Sequence, residues 1–198
     1  AERREREKQQ RRNDILDAAE KIIFSKGLEN ATMDDVADEA ELSKGTLYLY
    51  FKNKEELYLG ITARGIEILT RMISTVTKKK ASGFEKTIDI GRAFHKFAVT
   101  YPDYFNALSY YELKEHVYCD ECPMAKECSD YGEGSLNLLI STLEEGIRDG
   151  SIRPDLDPKK ATLLLWGMTS GMIQLIAMKG KHLKDKHNFE IDGLMEYM

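Results

Sequence analysis

Apolar residues recur at three- and four-residue spacing along almost the whole chain, alternating β-branched runs are lacking, and only four prolines interrupt the pattern. A repeat near 3.6 residues builds amphipathic helices, whereas a strand needs period two. The expected fold class is therefore all-α. Helices are predicted over about 9–26, 33–40, 44–51, 54–78, 84–99, 102–117, 130–149, 158–178 and 189–197. The first three are short and closely joined and the later ones long. This division places an N-terminal three-helix domain with a basic arm over 1–54 and a helical-bundle domain over 55–198.

With 198 residues and 42% hydrophobic content, the chain can bury a real core. No run approaches the roughly 18 consecutive apolar residues of a membrane span, and no apolar segment follows the charged N-terminus. A soluble cytoplasmic protein is expected, with no membrane partner. Three cysteines are too few, and of the wrong parity, for a disulfide scaffold. The formal net charge of -5 does not by itself suggest nucleic acid, and residues 1–54 carry 11 basic against 12 acidic side chains. Basic groups are nevertheless concentrated in two places. Residues 1–12 hold six basic and three acidic side chains, and residues 42–54 hold three lysines and no acid, so both segments are candidates for phosphate contact.

In the first helix Ile15, Leu16, Ala19, Ile22 and Ile23 form one stripe, with Gly27 placed as a C-terminal cap. Thr32 and Asp35 have capping-box spacing ahead of Met33, Val36, Ala37 and Ala40. Only Glu41 and Leu42 then precede Ser43, an N-cap for a third helix, while Asn53 and Glu56 cap the fourth. Two short helices joined by so tight a turn form a helix-turn-helix. At about 100° per residue from Lys44, Leu47 and Phe51 fall together near 300° and 340° and face inward. Gly45, Thr46 and Leu49 then face outward, with Tyr48 and Tyr50 on the flanks. In a major groove Gly45 admits close backbone approach, Thr46 reaches a base edge or thymine methyl, and lysines and tyrosine hydroxyls reach phosphates. Thr32, at a helix N-terminus, and Lys54 are further phosphate candidates. A compact bundle in which the tyrosines only pack would show the same spacing.

The run ATMDDVADEAELSKGTLYLYFKNKEELY resembles the DNA-binding domain of the tetracycline-repressor (TetR) family. The likeness covers about residues 10–60, and YPDYFNAL and GIRDGSIRPDLDP more loosely resemble the family's regulatory domain. It implies a two-fold dimer built from the last two long helices, a palindromic double-stranded operator, and repression relieved by an effector. It also implies DNA contacts from Thr32, Ser43, Lys44, Thr46, Tyr48, Tyr50 and Lys54. One departure is Leu49, where the family often has a polar or aromatic residue; leucine there either gives up a phosphate contact or touches a base through its apolar side chain.

Residues 158–178 are apolar almost all round, which suits a helix buried by its own subunit on one side and a partner on the other. Gly167 and Gly171 would allow close helix approach. Aromatics crowd residues 94–111. Phe94, Phe97, Tyr104, Tyr110 and Tyr111, with Trp166 and Met172, are candidates for lining an apolar effector pocket, although such a stripe also serves as plain core.

The three cysteines cluster as Cys119-x2-Cys122-x5-Cys128, with His116 three residues ahead. With His116 as fourth ligand they would suit zinc, or the cysteines alone an iron–sulfur cluster with an exogenous ligand. A reversible disulfide between two of them is a second reading, and thiols without a role a third. The x2, x5 spacing is not a standard four-ligand zinc pattern.

No phosphate-binding glycine loop, zinc-protease histidine pair or nucleophile-elbow serine is present, so an enzyme is not expected. A regulator responding to a small molecule or to redox state is favoured. The rival is a helical protein-interaction adaptor, which would bury the tyrosines of 48–50 in a protein interface.

Overall fold

The computed structural model describes residues 2–114 and 122–188. Eight helices make up the regular structure of these residues: α1 (Glu2–Lys26), α2 (Met33–Glu39), α3 (Lys44–Tyr48), α4 (Lys54–Thr77), α5 (Gly83–Thr100), α6 (Pro102–Lys114), α7 (Pro123–Asp149) and α8 (Pro158–His187).

Most boundaries follow from local chemistry. Gly27 closes α1 at φ +80, and its N–H donates to the Ile23 carbonyl. The capping box at Thr32 and Asp35 is formed, and Ser43 caps α3 by accepting the Thr46 N–H. Asn53 accepts the Glu56 N–H at the start of α4. Ser82 with Glu85, and Asp157 with Pro158 in the first turn, do the same for α5 and α8. In the tight turn after α2, Glu41 stands in the left-handed region at φ 54.

Four boundaries differ from expectation. α3 stops at Tyr48 rather than near 51, and the Tyr50 and Phe51 N–H groups then donate to the Leu47 carbonyl in the turn that follows. α1 begins at Glu2, because its charged first turns extend a helix that the core anchors from Ile15 onward. α7 begins at Pro123 rather than near 130: proline suits a first helical turn, and the cysteine-rich stretch that reads as loop buries Ala125 and Cys128. α8 continues beyond 178 through a lysine-rich stretch to His187, where Asn188 at φ 53 ends it. The helix expected over 189–197 lies outside the described residues.

Two compact units form, and they do not follow a division at residue 54. The first comprises the chain to Glu67 together with Asp103–Tyr131; the second comprises Ile68–Pro102 and the chain from Gly132 onward. The reason lies in the first core. Ile15, Leu16, Val36, Leu47, Phe51 and Leu57 are almost wholly buried there, together with Ala107 of α6. In the second unit the backbones of α5 and α7 meet so closely that a Cβ on Gly83 would overlap Gly146. Beside that crossing Lys86, 7% exposed, donates to both oxygens of Glu145 at 2.7 and 2.9 Å.

Candidate nucleic-acid interface and effector pocket

The outward face of the helix-turn-helix starts at Ser43, whose hydroxyl lies 2.9 Å from that of Thr46. α3 then turns Leu47 into the core and Tyr48 and Leu49 outward, 48% and 83% exposed. Leu49 and the neighbouring Tyr48 together present an exposed apolar surface at this end of α3. Gly45 is not demanded by packing, since a Cβ there would meet only the Ser43 Oγ, at 3.9 Å.

Lys44 is exposed and pairs with Asp34 at 2.6 Å, which raises its pKa through the hydrogen bond and then the charge of that carboxylate. It remains a cation that a phosphate can draw away. Thr32 is exposed at the N-terminus of α2, but its hydroxyl is engaged with Asp35. Tyr50 packs half-buried against the core, and Lys54 donates to the carbonyls of Leu28 and Glu29 at 3.0 and 3.3 Å. These two thus have structural work within the domain. Lys52, its side chain 80% exposed beside α3, was not among the sequence candidates; the lysines of 42–54 were its only signal.

In the second unit, α4, α5, α7 and α8 enclose an apolar cavity of about 50 Å³. Ile73, Ile90, Leu139 and Leu165 supply its aliphatic wall, and Phe94 and Trp166, also in the lining, stack on each other with ring centroids 5.2 Å apart. Of the lining hydroxyls, Thr87 donates to the Gly83 carbonyl and Ser135 bonds with Thr70.

The other pocket candidates lie elsewhere. Phe97 is fully buried beside Tyr101, and Tyr111 is buried in the first unit. Tyr104 meets Phe24, and Tyr110 meets Tyr58, each edge to face. Burial first, then Glu20, pushes the Tyr104 hydroxyl well above the usual phenol range. Met172 is half-buried and does not line the cavity.

Cys122 is half-buried immediately before α7. Cys128 is 0% exposed and its Sγ donates to the Leu59 carbonyl at 3.3 Å. His116 and Cys119 lie outside the described residues. Among the described residues, no group of three or more His, Cys, Asp or Glu stands where it could hold a metal ion.

Residues 15–61 match the sequence model for bacterial regulatory proteins of the tetR family. The chain is 30% identical over 166 residues to the HTH-type transcriptional repressor KstR2 of Rhodococcus jostii, covering 76% of this chain and 72% of that one. It is 27% identical over 154 residues to the fatty acid metabolism regulator protein of Bacillus subtilis, covering 77% and 76%. The fold matches the crystal structure of the transcriptional regulator FadR from Bacillus subtilis in complex with stearoyl-CoA, with a TM-score of 0.68, 21% identity and 93% of both chains covered. The helix-turn-helix geometry and these relationships lead to one conclusion: the chain belongs to the tetR family of bacterial regulatory proteins, and is a DNA-binding transcriptional regulator rather than an enzyme.

Proposed function

We propose that the protein is a repressor that holds a palindromic operator as a homodimer and releases it when a fatty-acyl coenzyme A thioester enters the second unit. The outward face of α3 carries the DNA-binding part of this reading: a highly exposed Leu49 beside Tyr48, Thr46 and a glycine that packing does not require. The effector class is suggested by relatives: a fatty acid metabolism regulator, and a structural neighbour solved with stearoyl-CoA. A lining that is mostly apolar, with the Thr87 and Ser135 hydroxyls already bonded, suits a hydrocarbon chain in its chemistry.

Dimerisation is supported by α8. Leu163, Leu164, Met168 and Met178 are 72%, 64%, 57% and 79% exposed, and nothing lies within 4 Å of a Cβ built on Gly167 or Gly171. By length and composition this helix is apolar enough to cross a membrane, with 22% of its apolar window buried. A second copy laying its own α8 along that face satisfies it, as small residues permit close approach. Leu164→Asp with Met168→Asp is expected to raise the dimer dissociation constant at least about tenfold, read by analytical ultracentrifugation.

The deciding experiment is fluorescence anisotropy with the DNA upstream of the protein's own gene, at two salt concentrations, with and without stearoyl-CoA. Steep salt dependence and release by stearoyl-CoA are expected. Binding to no duplex at either salt would leave the adaptor reading.

A further inference from the structure

The cavity between α4, α5, α7 and α8 is too small for the effector proposed above. Ligand sites commonly enclose roughly 300–1,000 Å³, and this one encloses about 50 Å³. Something in its wall must therefore move. Ile73, Ile90, Phe94 and Leu139 are 7% exposed or less, each fixed by close packing. Trp166 differs, being half-exposed and stacked on Phe94 with an interplanar angle of 21°. Beside it lies Gly91, half-exposed in the middle of α5, with nothing within 4 Å of where its Cβ would stand. A glycine inside a helix weakens it, so a gap kept open there has a cost.

We infer that the Phe94–Trp166 stack is the closed gate of the effector site, that Gly91 keeps its threshold open, and that only the uncharged hydrocarbon part of the ligand passes inside. The lining carries no charged side chain. Burying an unpaired charge there would be prohibitive, so the nucleotide and phosphates of a coenzyme A thioester stay outside. Trp166 swings away from Phe94 as the chain enters, and the length of chain admitted is set by how far that ring moves. This inference rests on the acyl-thioester reading for the ligand's identity, but the gate is a property of the residues themselves.

The test uses the whole 198-residue chain, in which Trp166 is the single tryptophan and reports on its own gate. Stearoyl-CoA is expected to shift its emission to the red, coenzyme A alone to leave it unchanged. Gly91→Leu, filling the gap, should weaken stearoyl-CoA binding at least tenfold by calorimetry. Its urea midpoint should stay equal or rise, because leucine is the better helix former. Gly91→Ala should bind nearly as well as the parent. The uncharged probe N-phenyl-1-naphthylamine tests the gate independently of the thioester: its entry into the parent but not into Gly91→Leu supports the gate even where no acyl-CoA binds. Tight stearoyl-CoA binding with unchanged Trp166 emission and an unaffected Gly91→Leu protein would overturn the gate and leave the proposed function standing. Failure of the parent to bind either probe overturns the gate as well.

Discussion

Arg12 and Glu127, 115 positions apart in the chain, meet at 2.6 Å, and the same guanidinium lies 3.0 Å from the Met124 sulfur and 5.9 Å from the centre of the Phe51 ring. One side chain thus joins α1, the turn after α3 and the first turns of α7. Arg12 is only 18% exposed and Glu127 33%, so solvent screens the pair less than a surface bridge. Arg12→Ala should cost about 2–3 kcal/mol and Glu127→Ala about 1 kcal/mol, since only the first also uncovers Phe51. A double-mutant cycle by urea denaturation should show coupling of about 1 kcal/mol; additive effects would contradict the bridge.

On DNA, Thr46→Ala and Leu49→Ala should change which operator is preferred, because Thr46 lies on the part-exposed side of α3 and Leu49 is exposed at its C-cap. Lys44→Ala should weaken specific and random duplex alike and reduce the salt slope by about 0.9. Lys54→Ala should behave differently, lowering thermal stability through loss of its bonds to the Leu28 and Glu29 carbonyls. Anisotropy on two sequences, paired with melting curves, separates these outcomes.

Acid should destabilise the protein through its helix caps. Lys26 first, then the Thr32 hydroxyl and N–H, hold Asp35 below the usual carboxylate range. The Ser82 backbone N–H and then its hydroxyl do the same for Glu85. A carboxyl whose pKa is depressed by folding stabilises the native state above its unfolded pKa of about 4, and that contribution is lost as pH falls through the folded value. Urea midpoints should stay nearly level from about pH 7 to 5 and drop below about 4. Asp35→Asn and Glu85→Gln should each make the drop shallower.

The cysteines should react unequally. Cys128 is sealed in the first unit, so a thiol reagent should modify it only after denaturant is added, whereas half-buried Cys122 should react in the folded protein. Cys128→Ser should leave the native titre unchanged and lower the denatured titre by about one. We propose elemental analysis of the same anaerobic sample as the measurement for the metal reading of His116, Cys119, Cys122 and Cys128. About one zinc or several irons per chain, lost in Cys122→Ser, would establish it, and would require the Cys128 thiol to leave the Leu59 carbonyl.

Features set by near neighbours were legible in the sequence. Thr32, Ser43 and Gly27 act within four residues of themselves, so their capping roles could be read directly. The burial of Leu47 followed from helical period; Phe51 lies beyond the end of α3 and keeps its inward place because its N–H still donates to the Leu47 carbonyl. What depends on distant partners was not legible. Tyr104 and Tyr110 share the aromatic spacing of Phe94, yet only Phe94 faces the cavity, because Phe24 and Tyr58 claim the other two. The bonds of Lys54 to the Leu28 and Glu29 carbonyls depend on the turn after α1 coming within its reach, which sequence spacing does not show. The start of α7 was hidden for a related reason: a cysteine- and glycine-rich stretch is helical where it is anchored at Ala125 and Cys128.

The make-up of the first unit means that the DNA-binding headpiece is not a detachable module. Its core is completed by Ala107, with Tyr104, Tyr110 and Met124 packed against it, all from segments that follow Ile68–Pro102 of the other unit. A fragment ending at Glu67 would retain every helix-turn-helix residue and still expose an open flank of its core. Chimaeras that graft this headpiece onto another regulator must carry Asp103–Tyr131 as well, so two discontinuous pieces of the chain are inherited, exchanged or lost together.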